Sequence, residues 1–363
     1  MSHRSPSLSR RCVCACVLLT LAFPPTSWSQ SPPSAPAVAG QPAVRGIYNW
    51  IHTTGDAESA FSFYREVFGI QLAASPFAAG ASEPPEAIRP VSEAASDRLV
   101  AQLTNTEGAR FRTAFMRARN VPFGLELSEF FDIPRNTRAP NPWDPGAAIL
   151  ILAVRDLDAA AAKLRSRGTP PVTLGGLPLD TPAGRAILVR DPDGYLVEVL
   201  QASPAAVDAA VWPAAIVDAS IGISVADADA ALRFYRGLLG FEVEETRRAT
   251  SSELRLHGLG DGRLTETPML IGGTVTVLLL EFELPPSAPQ PAVPISWRIQ
   301  DVGAPQFQLQ VADLDGLLER AKHAGYRFLS VGAQPIRRPF GRFVFAIDPD
   351  GVLVEFVEPA EPR

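Results

Sequence analysis

The sequence predicts an α+β fold assembled from four β-α-β-β-β modules, and three observations carry that prediction. First, the chain repeats itself, which is the signature to seek before any other. Asp191-Pro192-Asp193-Gly194-Tyr195-Leu196-Val197-Glu198 returns as Asp348-Pro349-Asp350-Gly351-Val352-Leu353-Val354-Glu355. Val154-Arg155-Asp156-Leu157-Asp158 returns at the same interval as Val311-Ala312-Asp313-Leu314-Asp315. Ala60-Phe61-Ser62-Phe63-Tyr64, followed by Phe68-Gly69-Ile70, returns as Ala231-Leu232-Arg233-Phe234-Tyr235, followed by Leu239-Gly240-Phe241. Second, four short alternating segments each lead through an aspartate into an amphipathic stretch. Third, Asp-Pro-Asp-Gly stands between apolar runs, where the proline, the Asx side chain and the glycine all favour a tight turn joining strands.

Each element follows in order. Asn49–Thr54 precedes a helix over Asp56–Val67, and Ile149–Val154 precedes one over Asp156–Arg167. Ile221–Val225 precedes Asp227–Leu238, and Gln306–Val311 precedes Asp313–His323. The aspartate suits an N-cap because its carboxylate accepts orphan backbone N–H groups. Gly168, Gly240 and Gly325 mark helix ends. The repeat divides the body into halves at 44–203 and 214–358, with 204–213 as the linker between them.

Length and composition agree with two domains. The 363 residues match a prior of roughly two domains, and the 46% apolar content is ordinary for globular cores. A formal net charge of -6 argues against nucleic acid, whose phosphates demand a basic face. No apolar run in the body reaches the ~18–20 residues of a membrane-spanning helix. Residues 1–29 read as a signal peptide: Arg4, Arg10 and Arg11, then an apolar run Cys12 to Phe23, then small residues Ser27 and Ser29. Cleavage near Ser29 is expected, which makes the chain exported, periplasmic or secreted. Cys12, Cys14 and Cys16 all lie in that segment, so the remainder has no thiol chemistry. Residues 30–43 read as a disordered lead-in.

The ordered sets of strand-Asp-helix with Phe-Tyr, then Gly-Ile or Gly-Phe, then Asp-Pro-Asp-Gly-x-x-x-Glu resemble the vicinal oxygen chelate (VOC) superfamily. That family includes glyoxalase I, extradiol dioxygenases and bleomycin-resistance proteins, and the resemblance covers nearly the whole body of the chain. It implies two tandem VOC domains, in which paired modules curl a mixed sheet around a cup. It also implies a divalent metal held by residues of the first and last strands, commonly His or Glu. It does not fix the function, because the fold hosts lyases, isomerases, oxygenases and binders.

Carried over one by one, those positions fall in the first half on Asn49, Glu126, Ile149 and Glu198. In the second half they fall on Ser220, Leu278 (with Glu281 as competitor), Gln306 and Glu355. Strand parity places Ile51 and Thr53 beside Asn49 on the cup face, and Gln306, Gln308 and Gln310 on one face of their strand. The body has only His52, His257 and His323. Parity turns His52 toward the helix side, away from the ligand positions. His257 reads as structural, and His323 suits a helix C-terminus.

With modules pairing within each half, Glu126 and Glu198 are expected to face one another in the first cup. Two carboxylates in a dry pocket need a cation or donors. Three outcomes stay open. Glu126, Glu198 and Asn49 hold a divalent metal, with magnesium, manganese or calcium favoured over zinc. Alternatively, one carboxyl has a raised pKa and works as general acid and base, or the pair meets arginines or solvent and does nothing. The leading expectation is an exported tandem-domain protein that binds a small organic molecule in a cup, with a degraded metal site and a non-catalytic second half. The rival is a metal-dependent lyase, isomerase or dioxygenase using Glu126 and Glu198. Phe130, Phe131, Trp143 and Trp297 are candidate aromatic walls, and the Pro/Ala/Ser-rich stretches 75–97 and 284–305 are candidate loops over a cup.

Overall fold

The computed structural model describes residues 43–73, 91–289 and 295–360. The stretch read as a signal peptide, nearly all of that read as a lead-in and parts of both proline-rich stretches lie outside the described residues. The described residues all belong to one unit, Gly40–Arg363.

The first module comprises β1 (Val44–Thr53), α1 (Ala57–Phe68), β2 (Gln71–Leu72), α2 (Arg98–Thr104), β3 (Arg110–Arg117) and β4 (Gly124–Phe131). The second has β5 (Ala148–Val154), α3 (Leu157–Ser166), β6 (Leu179–Thr181), β7 (Gly184–Arg190) and β8 (Leu196–Gln201), and a short α4 (Pro204–Ala209) follows. The third has β9 (Ile216–Val225), α5 (Ala228–Leu232), which runs on as a π-helical turn, β10 (Glu242–Val243), β11 (Arg247–Arg248), α6 (Ser251–Leu256), β12 (Arg263–Ile271) and β13 (Val275–Glu283). The fourth has β14 (Pro305–Val311), α7 (Leu314–His323), β15 (Arg327–Phe328), β16 (Ile336–Arg338), β17 (Gly341–Ile347) and β18 (Leu353–Pro359). The four aspartates cap as expected: Asp56, Asp156, Asp227 and Asp313 each accept backbone N–H bonds at the start of their helix.

These elements form two mixed nine-stranded sheets, as the α+β reading anticipates, but the modules pair differently from the expectation. One sheet runs β15-β17-β18-β14-β1-β4-β3-β2, with β16 also on β17, and the other β10-β12-β13-β9-β5-β8-β7-β6, with β11 also on β12. Module one therefore joins module four through the antiparallel β1–β14 pair, and module two joins module three through β5–β9. Each sequence half contributes one module to each sheet.

The cross-strand pairs give the physical reason. On β1, Asn49 lies opposite Gln308 and Ile51 opposite Gln306. Gln308 accepts from Asn49, and Gln306 donates to Thr53 at 3.1 Å. On β5, Ile149 lies opposite Gly222 and Ile151 opposite Ser220. The amide-bearing face of β14 thus meets the polar face of β1, while bulky β5 meets the small residues of β9. Matched facing pairs of this kind set strand partnership.

The two modules of each half are still knitted together across their helices. Tyr64 of α1 donates to Asp191 at 2.9 Å, and Tyr235 donates to Asp348 at 2.7 Å. The aspartates begin the two Asp-Pro-Asp-Gly turns, so each helix is tied to the neighbouring module of its own half. Phe63, Tyr64, Phe234, Tyr235, Trp50 and Phe307 are fully buried in one core that the two sheets share. Among the described residues, no helix is long and apolar enough to cross a membrane.

Candidate functional site

The curl of the first sheet encloses a cavity of about 250 Å³. Its floor is polar: Glu126, Ser128, Gln306, Gln308 and Glu355, with Ile51 beside them. Its walls are apolar, with Leu103 of α2, Phe111 and Phe115 of β3, Phe130 of β4, and Phe343 and Phe345 of β17 among them. Arg338 reaches the cavity and bonds to Asp97, the N-cap of α2, so an ion pair joins modules four and one beside the pocket. Burial opposes ionisation of Asp97, but the Arg338 guanidinium and the N–H groups of Val100 and Leu99 together outweigh it and hold the carboxyl below its usual range.

A hydrogen-bonded chain runs across the floor. Asn49 Nδ2 donates to Glu126 Oε2 at 3.3 Å and to Gln308 Oε1 at 2.7 Å, and Gln308 Nε2 donates to Glu355 Oε2 at 2.7 Å. The order Glu126–Asn49–Gln308–Glu355 follows from the register, which sets Asn49 opposite Gln308 and Gln308 beside Glu355. Asn49 turns its Oδ1 against Gly124, where an added Cβ would stand only 2.1 Å from it; only glycine leaves room for that amide. Burial, and then the charge of Glu355, push the Glu126 carboxyl up to about 8. Burial raises Glu355 to about 7 against the opposing bond from Gln308. Both carboxyls therefore take up protons near neutral pH, and the charge of Glu355 further opposes ionisation of Glu126.

Glu126 and Glu198 do not face one another. Glu198 lies on β8 in the other sheet, and the acids nearest to it in effect are Glu266 and Glu253, which add to burial in raising it to about 8. The metal or catalytic trio Glu126, Glu198 and Asn49 is therefore not assembled: Asn49 and Glu126 meet in the first sheet, but Glu198 belongs to the other. The partner that parity reading missed is Glu355, and the glutamine face of β14 was the signal for it. Leu278, not Glu281, is the true counterpart of Glu126: Leu278 pairs with Gly222 as Glu126 pairs with Ile51. Glu281 points the other way and accepts from the Ala228 N–H at the start of α5.

The second cup is filled. Ile149, Ile151, Leu188, Leu254, Leu280 and Trp297 form one buried apolar cluster there. Helix α6 supplies Leu254, and Arg247 bridges Glu253 and Glu266. Ile149 and Ser220, read as pocket residues, thus belong to this second sheet, and Ile149 is wholly buried in its core. Thr53, also read as a pocket residue, is buried, donating to Ile299 O at 2.5 Å. Of the aromatic candidates, Phe130 lines the cavity, Trp297 packs in the filled cup and Phe131 stands against Arg110 and Arg112 instead. His257 is structural, with Nδ1 at 2.8 Å from Glu253 O.

The chain matches the Glyoxalase/Bleomycin resistance protein/Dioxygenase superfamily over residues 49–199 and 219–356. It belongs to that superfamily. No curated protein matches the chain. Among solved structures, a point mutant of glyoxalase I from Zea mays is similar at 16% identity, with a TM-score of 0.54 over 86% of this chain and 93% of that one. The glyoxalase I structure from Zea mays gives 16% identity and a TM-score of 0.52, over 86% and 92% of the two chains. A putative dioxygenase from Bacillus subtilis gives 11% identity and a TM-score of 0.50, over 88% and 87%. Identities this low speak for the fold alone.

Superfamily membership raises the question of a metal in the first cup. The positions that would hold it carry Asn49, Glu126, Gln308 or Gln306, and Glu355. They offer oxygen atoms but no imidazole. The amide N–H groups of Asn49 and Gln308 already engage both carboxyls, Gln308 Oε1 accepts from Asn49, and Asn49 Oδ1 faces Gly124. Donors that converge on each other do not converge on an ion. The residues fit a hydrogen-bonded acid pair and not a cation cage.

Proposed function

We propose that the chain binds a small organic molecule in the first cup and moves a proton on it with Glu126 and Glu355. The observation that carries this reading is the amide-linked acid pair on the floor of an aromatic-walled cavity. Phe111, Phe115, Phe343 and Phe345 suit an apolar or aromatic body, and the floor suits one polar head, such as a carbonyl or hydroxyl. A pair with pKa values near 7 and 8 holds one proton between those values and between one and two at pH 7, so one member serves as base while the other serves as acid. Such a pair serves isomerisation or elimination. The ionised carboxylate takes a proton from carbon beside a carbonyl while the protonated one gives its proton to the carbonyl oxygen. The filled second cup supports a structural role for the other sheet. The leader read at residues 1–29 supports action outside the cytoplasm.

The test is a thermal-shift and calorimetric screen of small aromatic ketones, hydroxy acids and phenols against the parent chain. Compounds that bind are then measured against Val100→Trp, which narrows the pocket beside α2, and against Glu126→Gln, Glu355→Gln and Glu198→Gln. The reading expects binding lost in Val100→Trp, weakened in the first two glutamine variants and unchanged in Glu198→Gln. Binding that survives Val100→Trp, or that depends on Glu198, would overturn it.

A further inference from the structure

His52 has left the cup but has not become a bland core residue. It leaves β1 toward the helix side and packs its ring flat on Tyr195, with centroids 4.5 Å apart. Its Nε2 lies 3.3 Å from Asp191 Oδ2 and 3.7 Å from Asp193 Oδ2. His52 is 3% exposed, Asp191 4% and Asp193 9%. Among the described residues, neither His52 Nε2 nor Asp193 Oδ2 has a hydrogen-bond partner. Two buried polar atoms aimed at one another without a bond are costly unless something sits between them.

The remaining atoms of the cluster are already held in place. Asp191 Oδ1 accepts from the N–H groups of Asp193 and Tyr195, both at 2.9 Å, and Oδ2 accepts from Tyr64. Asp193 Oδ1 accepts from Gly55 N–H at 2.8 Å. Ligands fixed by such outer bonds are what a metal site requires. The separations are long for N–H···O bonds but match the edges of a coordination shell: bonds of about 2.0–2.1 Å in a tetrahedron place ligand atoms roughly 3.4 Å apart. One donor atom from each of the three residues lies within 4.8 Å of the other two. Two carboxylates and one neutral imidazole are balanced by a divalent charge.

We infer that His52, Asp191 and Asp193 form a divalent transition-metal site, outside the cup, that ties β1 to the Asp-Pro-Asp-Gly turn of module two. The second half supplies an internal control. There the turn folds in the same way, with Tyr235 on Asp348, the Ala226 N–H on Asp350 and Asp350 Oδ2 likewise without a hydrogen-bond partner among the described residues, but Ile223 stands where His52 does, so the orphaned imidazole nitrogen is what sets the first half apart. The turn therefore forms without a third ligand, and the imidazole is what the first half adds.

The test uses the full chain, stripped with a chelator and titrated with Zn²⁺ alone by calorimetry, with metal content read after dialysis. About one Zn²⁺ per chain is expected, with a rise in melting temperature of a few degrees. His52→Ile, which copies the second half, should bind Zn²⁺ roughly 100-fold more weakly and lose the melting shift. Asp193→Asn keeps an oxygen for the Gly55 N–H and should weaken binding similarly, so the result does not depend on one variant folding. The Glu126→Gln/Glu355→Gln double variant should retain the Zn²⁺. No uptake by the parent chain, uptake indifferent to His52→Ile and Asp193→Asn, or uptake abolished only in the double glutamine variant would each overturn the inference.

Discussion

At the scale of the residue, the account turns on Glu126 and on what surrounds it. Its carboxyl is raised from 4.5 to about 8 by burial and by Glu355, so the folded chain binds that proton more tightly than the unfolded chain does. The sign follows: this group favours folding fully below its unfolded pKa, and the contribution is lost as pH rises toward 8. Glu126→Gln should flatten that part of the pH–stability curve and leave the variant more stable than the parent above pH 8, by roughly 1–3 kcal/mol. Denaturant titrations between pH 5 and 9 check this; a variant that parallels the parent throughout contradicts it. Gly124→Ala gives a second check. Its methyl group would collide with the Asn49 amide, so a loss of about 1–3 kcal/mol is expected, together with a changed Glu126 titration. The superfamily resemblance pointed to Asn49, Glu126, Gln306 and Glu355, and strand parity added Gln308 beside them. Their companionship stayed hidden, because parity fixes which face a side chain takes and not which strand arrives opposite.

At the scale of the element, the Asp-capped helices and the two Asp-Pro-Asp-Gly turns were legible because their signals are local. A capping carboxylate and a turn need only a few neighbouring residues. Asp227→Ala should accordingly cost ~1 kcal/mol, read from equilibrium unfolding. Helices α2 and α6 were not anticipated. Both are short and gain their stability from what they cover. Leu103 of α2 closes the first cavity, and Leu254 of α6 helps to fill the second cup. That difference explains why two cups from one repeat have different contents. Leu280→Ala should hollow the filled cup at a cost of about 2–5 kcal/mol while leaving ligand binding in the first cup unchanged, which unfolding and calorimetry measure together.

At the scale of the whole molecule, the repeat announced four modules but not their exchange. The missed clue was complementarity between faces: the amides of β14 belong with Asn49 and Thr53, and the isoleucines of β5 belong with Gly222 and Ser220. Since each sheet draws on both halves, neither half is expected to fold by itself. Separately produced 44–203 and 214–358 should lack cooperative unfolding, and mixing them should restore it. A cooperative transition in 44–203 alone would contradict the exchange of modules.

The central claim, an acid pair made of Glu126 and Glu355 in one cup, is tested most directly by a nuclear magnetic resonance titration of ¹³C-labelled glutamate carboxyls. Glu126 should titrate near 8, fall when Glu355 is replaced by Gln, and stay unmoved when Glu198 is replaced by Gln. A Glu126 carboxyl that titrates near its ordinary 4.5, or that responds to Glu198 and ignores Glu355, would contradict the account.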